Sequence, residues 1–284
     1  SGAITANRAA MIKTDGQYEA VTGVNQAVGT TRAFFDQYNV VAGAYNPDLS
    51  NFAFLYQDQA NGYYTTSVVG SISGSTITWG TPQVARSENP GRETMAITYD
   101  PSQDLYVGVT CQPSNSYKPR VLIGTASGTS ISWNDWGTPN FTGNQFCDYM
   151  DSCYNTKNNR LGLTWCNSSG QAVAAEYTVT SNSVTVVGSD YTWNGNGYQF
   201  SRICWDSTNE CYLAAATKSN NSYYCGLRVM NPGQFSSPPG NQMDVGTPYK
   251  PYGLEHDPNA GQTCILYAHT NGTLYLQSTT SVNT

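Results

Sequence analysis

Five times in this chain an apolar run ends in an aromatic ring followed by Asn or Asp: Tyr45-Asn46, Tyr99-Asp100, Tyr154-Asn155, Trp205-Asp206 and His256-Asp257. The spacings are 54, 55, 51 and 51 residues. Pro47, Pro101 and Pro258 follow three of the anchors, and proline presets φ for a turn. Behind each anchor comes a second apolar run, such as Leu105–Thr110 or Leu161–Trp165, and then a third, such as Arg120–Thr125 or Ala172–Thr180. A period near 50 residues holding about four short strands is the signature of a propeller blade. The unit is clearest from Glu93 to Pro139, where β-type runs at Glu93–Tyr99, Leu105–Thr110, Arg120–Thr125 and Ser130–Trp133 alternate with turn formers.

These repeats predict an all-β fold: one domain over residues 1–284, a five-bladed β-propeller of four-stranded antiparallel blades. The fifth repeat stops after its third strand, near Thr284. Ahead of the first repeat lie the strand-like runs Ala9–Thr14 and Tyr18–Thr22. One of them is expected to complete the last blade, which would remove an open sheet edge. A two-sheet sandwich would not show the period. Six blades, with residues 1–35 forming most of the extra one, is the other arrangement the repeats allow.

Composition narrows the function classes. Charged residues are 11% of the chain and the net charge is −6 with 13 Lys+Arg. No basic cluster occurs, which argues against a nucleic-acid partner. No apolar run is long enough to span a membrane as a helix. Aromatics reach 12%, with 21 Tyr and 6 Trp, and the polarity comes from Asn, Ser, Thr, Gly and Gln. That mix fits an extracellular β-protein. The sequence opens at Ser1 without Met, as a trimmed or mature chain would.

Eight cysteines fall between Cys111 and Cys264. No zinc-like spacing or P-loop or dinucleotide fingerprint is present, so neither a metal nor a cofactor is expected. An even cysteine count in a low-charge β-chain suggests disulfides and an oxidising compartment. Cys204–Cys211, flanking the turn Trp205–Glu210, is the first candidate pair. Cys225–Cys264 and Cys111–Cys147 follow, and Cys153 and Cys166 are left without an assigned partner. Four N-x-S/T sequons stand at Asn140, Asn167, Asn220 and Asn271. A chain this rich in Asn, Ser and Thr would carry about as many by chance.

Aligning the repeats on their anchors exposes candidate site positions. Six residues before the anchor stand Asn39, Glu93, Asp148, Gln199 and Lys250, all polar and all at the start of the expected innermost strand. They predict a ring at one mouth of the central channel that contacts a ligand. Three residues before the anchor, charge is confined to blades 3 and 4: Asp151 and Arg202, a potential ion pair or a hold on a polar substrate. If the chain is an enzyme, the acids available for glycoside chemistry are Glu93, Asp148, Asp151 and Glu255. No G-x-S-x-G elbow accompanies His256 or His269. Trp79 and Trp133, which end blades, are expected to pack between them.

The run S-G-x-[ST]-I-[ST]-W…G-T-P followed by Y-[DN]-P, carried by Ser73–Pro82, Ser127–Pro139 and the Tyr45, Tyr99 and Tyr154 anchors, resembles repeats of extracellular or cell-surface propellers. It is also similar to propeller segments in fibre or adhesion proteins of marine phages and algal viruses. The resemblance implies adhesion or assembly. The eight cysteines depart from a phage fibre and favour a secreted microbial protein. Ser71–Trp79 is partly like the Asp-box of sialidases but lacks the Asp, so that activity is not carried over. The expectation is therefore a secreted or surface-attached, non-catalytic propeller that binds glycan or self-associates. The alternatives are a glycoside hydrolase or lyase and a structural subunit of an extracellular filament or virus fibre.

Overall fold

The computed structural model describes residues 10–12, 18–20, 41–74, 76–90, 95–112, 118–137, 148–181, 183–193, 197–218, 224–235, 243–244, 248–269 and 274–279. The chain divides into two compact units, Ser1–Ala33 and Phe34–Thr284. In the first, β1 (Ala10–Ile12) and β2 (Tyr18–Ala20) form a two-stranded antiparallel sheet with Met11 opposite Glu19.

The second unit is built of five antiparallel blades. Blade 1 holds β3 (Val41–Asn46), β4 (Asn51–Asp58), β5 (Tyr64–Ser73) and β6 (Thr76–Trp79), with β7 (Gln83–Arg86) added along β5. Blade 2 is β8 (Met95–Asp100), β9 (Leu105–Gln112), β10 (Lys118–Ser127) and β11 (Ser130–Asp135). Blade 3 is β12 (Asp148–Asn155), β13 (Arg160–Cys166), β14 (Ala172–Thr180) and β15 (Ser183–Thr192). Blade 4 is β16 (Tyr198–Asp206), β17 (Cys211–Lys218), β18 (Tyr224–Met230) and β19 (Met243–Asp244). Blade 5 has three strands, β20 (Pro248–Asp257), β21 (Gln262–His269) and β22 (Leu274–Thr279). The first strand of every blade faces a shared central cavity, which makes the five-bladed propeller.

The repeated anchor has a local cause. In each blade the Asn or Asp side chain accepts a hydrogen bond from the backbone N–H two residues on: Asp48, Ser102, Lys157, Thr208 and Asn259, at 2.8 to 3.0 Å. This Asx turn requires a short side chain with an acceptor at that spacing, which Asn and Asp offer more strongly than Ser or Thr. Four residues past the Asx, the chain turns left-handed at Ser50, Asp104, Asn159, Glu210 and Gly261. The aromatic half of the anchor reaches the turn of the preceding blade. Tyr99 donates to Asp48 (3.2 Å), Tyr154 lies 3.0 Å from the Ser102 hydroxyl, and His256 lies 3.2 Å from that of Thr208. Turn and anchor together fasten neighbouring blades.

Trp133 packs between blades as expected, whereas the ring contacts of Trp79 are with Phe52 and Phe54 of its own blade. Each stands directly across the ladder from a glycine, Gly70 and Gly124. A Cβ on either glycine would come within 2.8 Å of the facing indole. Trp133 also donates to Ser67 of blade 1 at 2.8 Å. Buried clusters fill the seams between blades 1 and 2, 2 and 3, 3 and 4, and 4 and 5. Among the described residues no such cluster spans blades 5 and 1.

β1 and β2 pair with one another, and blade 5 has three described strands. Apart from β1 and β2, the runs expected to complete that blade lie outside the described residues. The disulfide expectation needs correction: no bond joins two of the seven described cysteines. Cys204 pairs with Leu213 and Cys211 with Asp206, so the two thiols are diagonal neighbours. Diagonal neighbours lie ~7–8 Å apart, their Cβ atoms somewhat less, and a disulfide needs Cβ atoms about 3.5–4.5 Å apart. Cys225 packs with Leu254 and Ile265 in the seam between blades 4 and 5. Cys264, one residue before Ile265, faces the other side of its strand. Cys147 lies outside the described residues. Cys153 and Cys166 stand opposite Gly162 and Asp148.

Candidate functional site

A cavity of about 390 Å³ opens where the five inner strands end at their anchors. The residue immediately before each anchor lines it: Ala44, Thr98, Cys153, Cys204 and Glu255. Asp151 joins them, with the anchor side chains Tyr45, Tyr99, Tyr154, Trp205 and His256 in the wall. Four of the five anchor rings are packed away; Tyr45 is 50% exposed.

Asp151 is held by one carboxylate oxygen, which accepts the Ile203 backbone N–H at 3.0 Å. Enclosure raises its pKa, outweighing the Arg202 charge and the backbone N–H groups of Ile203 and Ser152, which pull the other way. Arg202 does not form the expected ion pair at bonding distance. It donates to the carbonyls of Tyr252 (3.1 Å) and Ser201 (2.7 Å). Glu255 is accessible from the cavity, yet the channel walls strip enough water from it to raise its pKa, and the Asp151 charge raises it further. Two carboxyls that each resist ionisation stand on blades 3 and 5. The thiols of Cys153 and Cys204 are pushed well above their ordinary range, first by burial and then by neighbouring groups that include both acids. They stay protonated and are not activated nucleophiles.

His256 is spoken for. Its Nε2 lies 3.3 Å from Asp206 and 3.2 Å from Thr208, and its Nδ1 lies 3.1 Å from Thr263. The sequence Thr263–His256–Asp206 has the outline of a hydroxyl–imidazole–carboxylate relay. Thr263 is only 2% exposed, however, so no substrate carbonyl can reach it.

Of the acids proposed from the sequence, Asp151 and Glu255 converge on this cavity. Asn39 and Glu93 lie outside the described residues. So do the side chains of Asp148, Gln199 and Lys250, whose backbones pair with Cys166, Thr217 and Ala268. The ring that the structure does place at a mouth is the position just before the anchor, five residues beyond the predicted one. The alignment that singled out the earlier position would have displayed it, had polarity not been the criterion: Ala44, Thr98 and the cysteines read as core. Among the described residues no group of three or more His, Cys, Asp or Glu side chains is arranged to hold a metal ion. Asn167 spends its side chain on its own turn, accepting from the backbone N–H groups of Ser169 and Gln171 at 3.0 Å each and donating to the Gln171 amide at 3.2 Å. The sequons at Asn140, Asn220 and Asn271 lie outside the described residues.

No protein-family model matches the sequence, and no curated protein matches it. Solved structures do share the architecture. TolB from Acinetobacter baumannii is similar over 85% of this chain, with a TM-score of 0.52 at 13% identity. The match takes in 52% of TolB, so the chain spans about half the length of that protein. An endo-arabinase from Bacteroides thetaiotaomicron matches over 84% of this chain and 92% of its own, with a TM-score of 0.51 at 13% identity. At such identity the likeness shows the propeller fold alone. No helix among the described residues is long and apolar enough to cross a membrane.

Proposed function

We propose that this propeller binds carbohydrate at the anchor-end mouth of its channel, as a secreted or surface-attached adhesion or assembly module. The observation that carries the reading is one cavity holding an exposed ring, Tyr45, beside the two acids Asp151 and Glu255. A sugar offers C–H groups to an aromatic face and hydroxyls to carboxyl oxygens, so both kinds of partner are in place. The low charge and the abundance of Tyr, Asn and Ser fit an extracellular setting. A glycan array followed by titration calorimetry is the test: at least one saccharide class binds, and Tyr45→Ala weakens it about tenfold or more. Silence across the array, or binding indifferent to Tyr45→Ala, would sink the reading. Sizing chromatography reports whether the chain also self-associates.

A second reading, glycoside hydrolysis, is favoured by the raised pKa of both acids. A carboxyl kept protonated can act as a general acid, and its neighbour as base or nucleophile. The endo-arabinase likeness supports the scaffold for such chemistry and no more. Sugar release from plant or algal polysaccharides that is abolished by both Asp151→Asn and Glu255→Gln would establish this alternative.

A further inference from the structure

We infer that the ligand of this mouth carries a primary ammonium group alongside its hydroxyls, as a hexosamine with a free amine does; this deepens the carbohydrate reading above and rests on it. Asp151 and Glu255 face one cavity, and among the described residues neither has a bonded cation there. Arg202 is committed to the carbonyls of Tyr252 and Ser201. The imidazole of His256 is tied to Asp206, Thr208 and Thr263. The thiols of Cys153 and Cys204 remain neutral. An ammonium group entering between the two acids would satisfy both and relieve their mutual repulsion.

A separate observation calls for hydroxyls. Ser152 and Trp205 also line this cavity, and their Oγ and Nε1 atoms are buried without a hydrogen-bond partner. Trp205 is 8% exposed, and it is the one buried anchor ring whose polar atom lacks the contact to the preceding turn that Tyr99, Tyr154 and His256 make. At the equivalent turn position stands Lys157, a donor like the indole N–H, which pairs with Glu210. A buried indole N–H needs an acceptor and a serine hydroxyl takes either role, which a sugar hydroxyl supplies. Acid pair, unpaired donor and exposed Tyr45 ring together describe an amino sugar and reject a uronic acid.

Titration calorimetry on the whole chain at neutral pH tests this with three probes: glucosamine oligomers, their N-acetylated counterparts and spermidine. The free-amine oligomer is expected to bind at least about tenfold tighter than the acetylated one, a ratio that collapses in Glu255→Gln. Its affinity should also fall as the pH drops through the raised carboxyl range and the acids lose their charge. Equal affinity for the two oligomers overturns the ammonium inference and leaves the carbohydrate reading standing. Spermidine binding without either oligomer would show an ammonium contact that needs no sugar, and overturns the amino-sugar inference. Binding of none of the three overturns the ammonium inference, while the carbohydrate reading stands or falls on the glycan array.

Discussion

The seam between blades 3 and 4 and the flank where blade 1 follows blade 5 are built from the same repeat with opposite results. In the first, Trp193, Tyr212 and Phe235 are at most 1% exposed and pack as one cluster. Glu176, 0% exposed, collects the Arg160 guanidinium at 3.0 Å, the Tyr212 hydroxyl at 2.8 Å and the Gly233 N–H at 2.7 Å. On the second flank Tyr45 is 50% and Leu274 61% exposed, with Val41, Leu49 and Leu276 also open. The blade-to-blade fastening of anchor ring to preceding turn is made by Tyr99, Tyr154 and His256, and Tyr45 stands free of it. Four seams thus supply rigidity, and the fifth position leaves an aromatic side chain available at the cavity. An idle copy of a structural residue is where a repeat protein can place a ligand contact.

The largest test of this contrast is truncation on each side. Trp193→Ala should cost about 3–5 kcal/mol in denaturant unfolding, and Tyr45→Ala no more than about 0.5 kcal/mol. Comparable losses would erase the distinction. Next, Glu176→Ala strands three donors in the buried seam and should cost roughly 2–4 kcal/mol by the same measurement. A near-neutral result would mean that water replaces the carboxylate. Asp206→Ala removes an Asx turn that also meets His256, and a loss of about 1–2 kcal/mol is expected. Asp257→Ala, whose turn is not met by the Tyr45 ring of blade 1, should cost less, and equal costs would show that the turns act only locally.

The smallest effect concerns pH. Asp151 and Glu255 titrate above the ordinary carboxylate range in the folded chain, which therefore keeps protons that the unfolded chain has released. Their contribution favours the fold at low pH and is lost as pH rises from the ordinary range through the raised values. Glu255→Gln should flatten that part of a Tm-against-pH curve. A curve unchanged by the substitution would show that the channel does not raise the Glu255 pKa.

Much of the fold was legible because its causes are local. The Asx acceptor at Asn46, Asp100, Asn155, Asp206 and Asp257 acts on a backbone N–H two residues away, so the requirement is visible in the sequence. The same holds for indoles placed opposite glycines. Both cavity acids were legible: Asp151 and Glu255 were proposed because polarity suffices to nominate them, and Glu93 and the Asp148 side chain lie outside the described residues. The cysteines misled, because an even count says nothing of register, and the β16–β17 register puts Cys204 and Cys211 on a diagonal. Thr98, Cys153 and Cys204 were overlooked because small or apolar-looking residues give no sign that they face a channel.

By itself, then, the sequence determined the number of blades, the turn that ends each inner strand and the ring that follows it to the next blade, since all are set by spacing and short-range hydrogen bonding. Only the tertiary structure decided which side chains share a cavity. Asp151 and Glu255 sit on different blades, and only the arrangement of the inner strands around one channel brings them together. Desolvation by that channel shifts their pKa values, and burial of four anchor rings out of five sets Tyr45 apart. None of these is a property of a residue and its near neighbours along the chain.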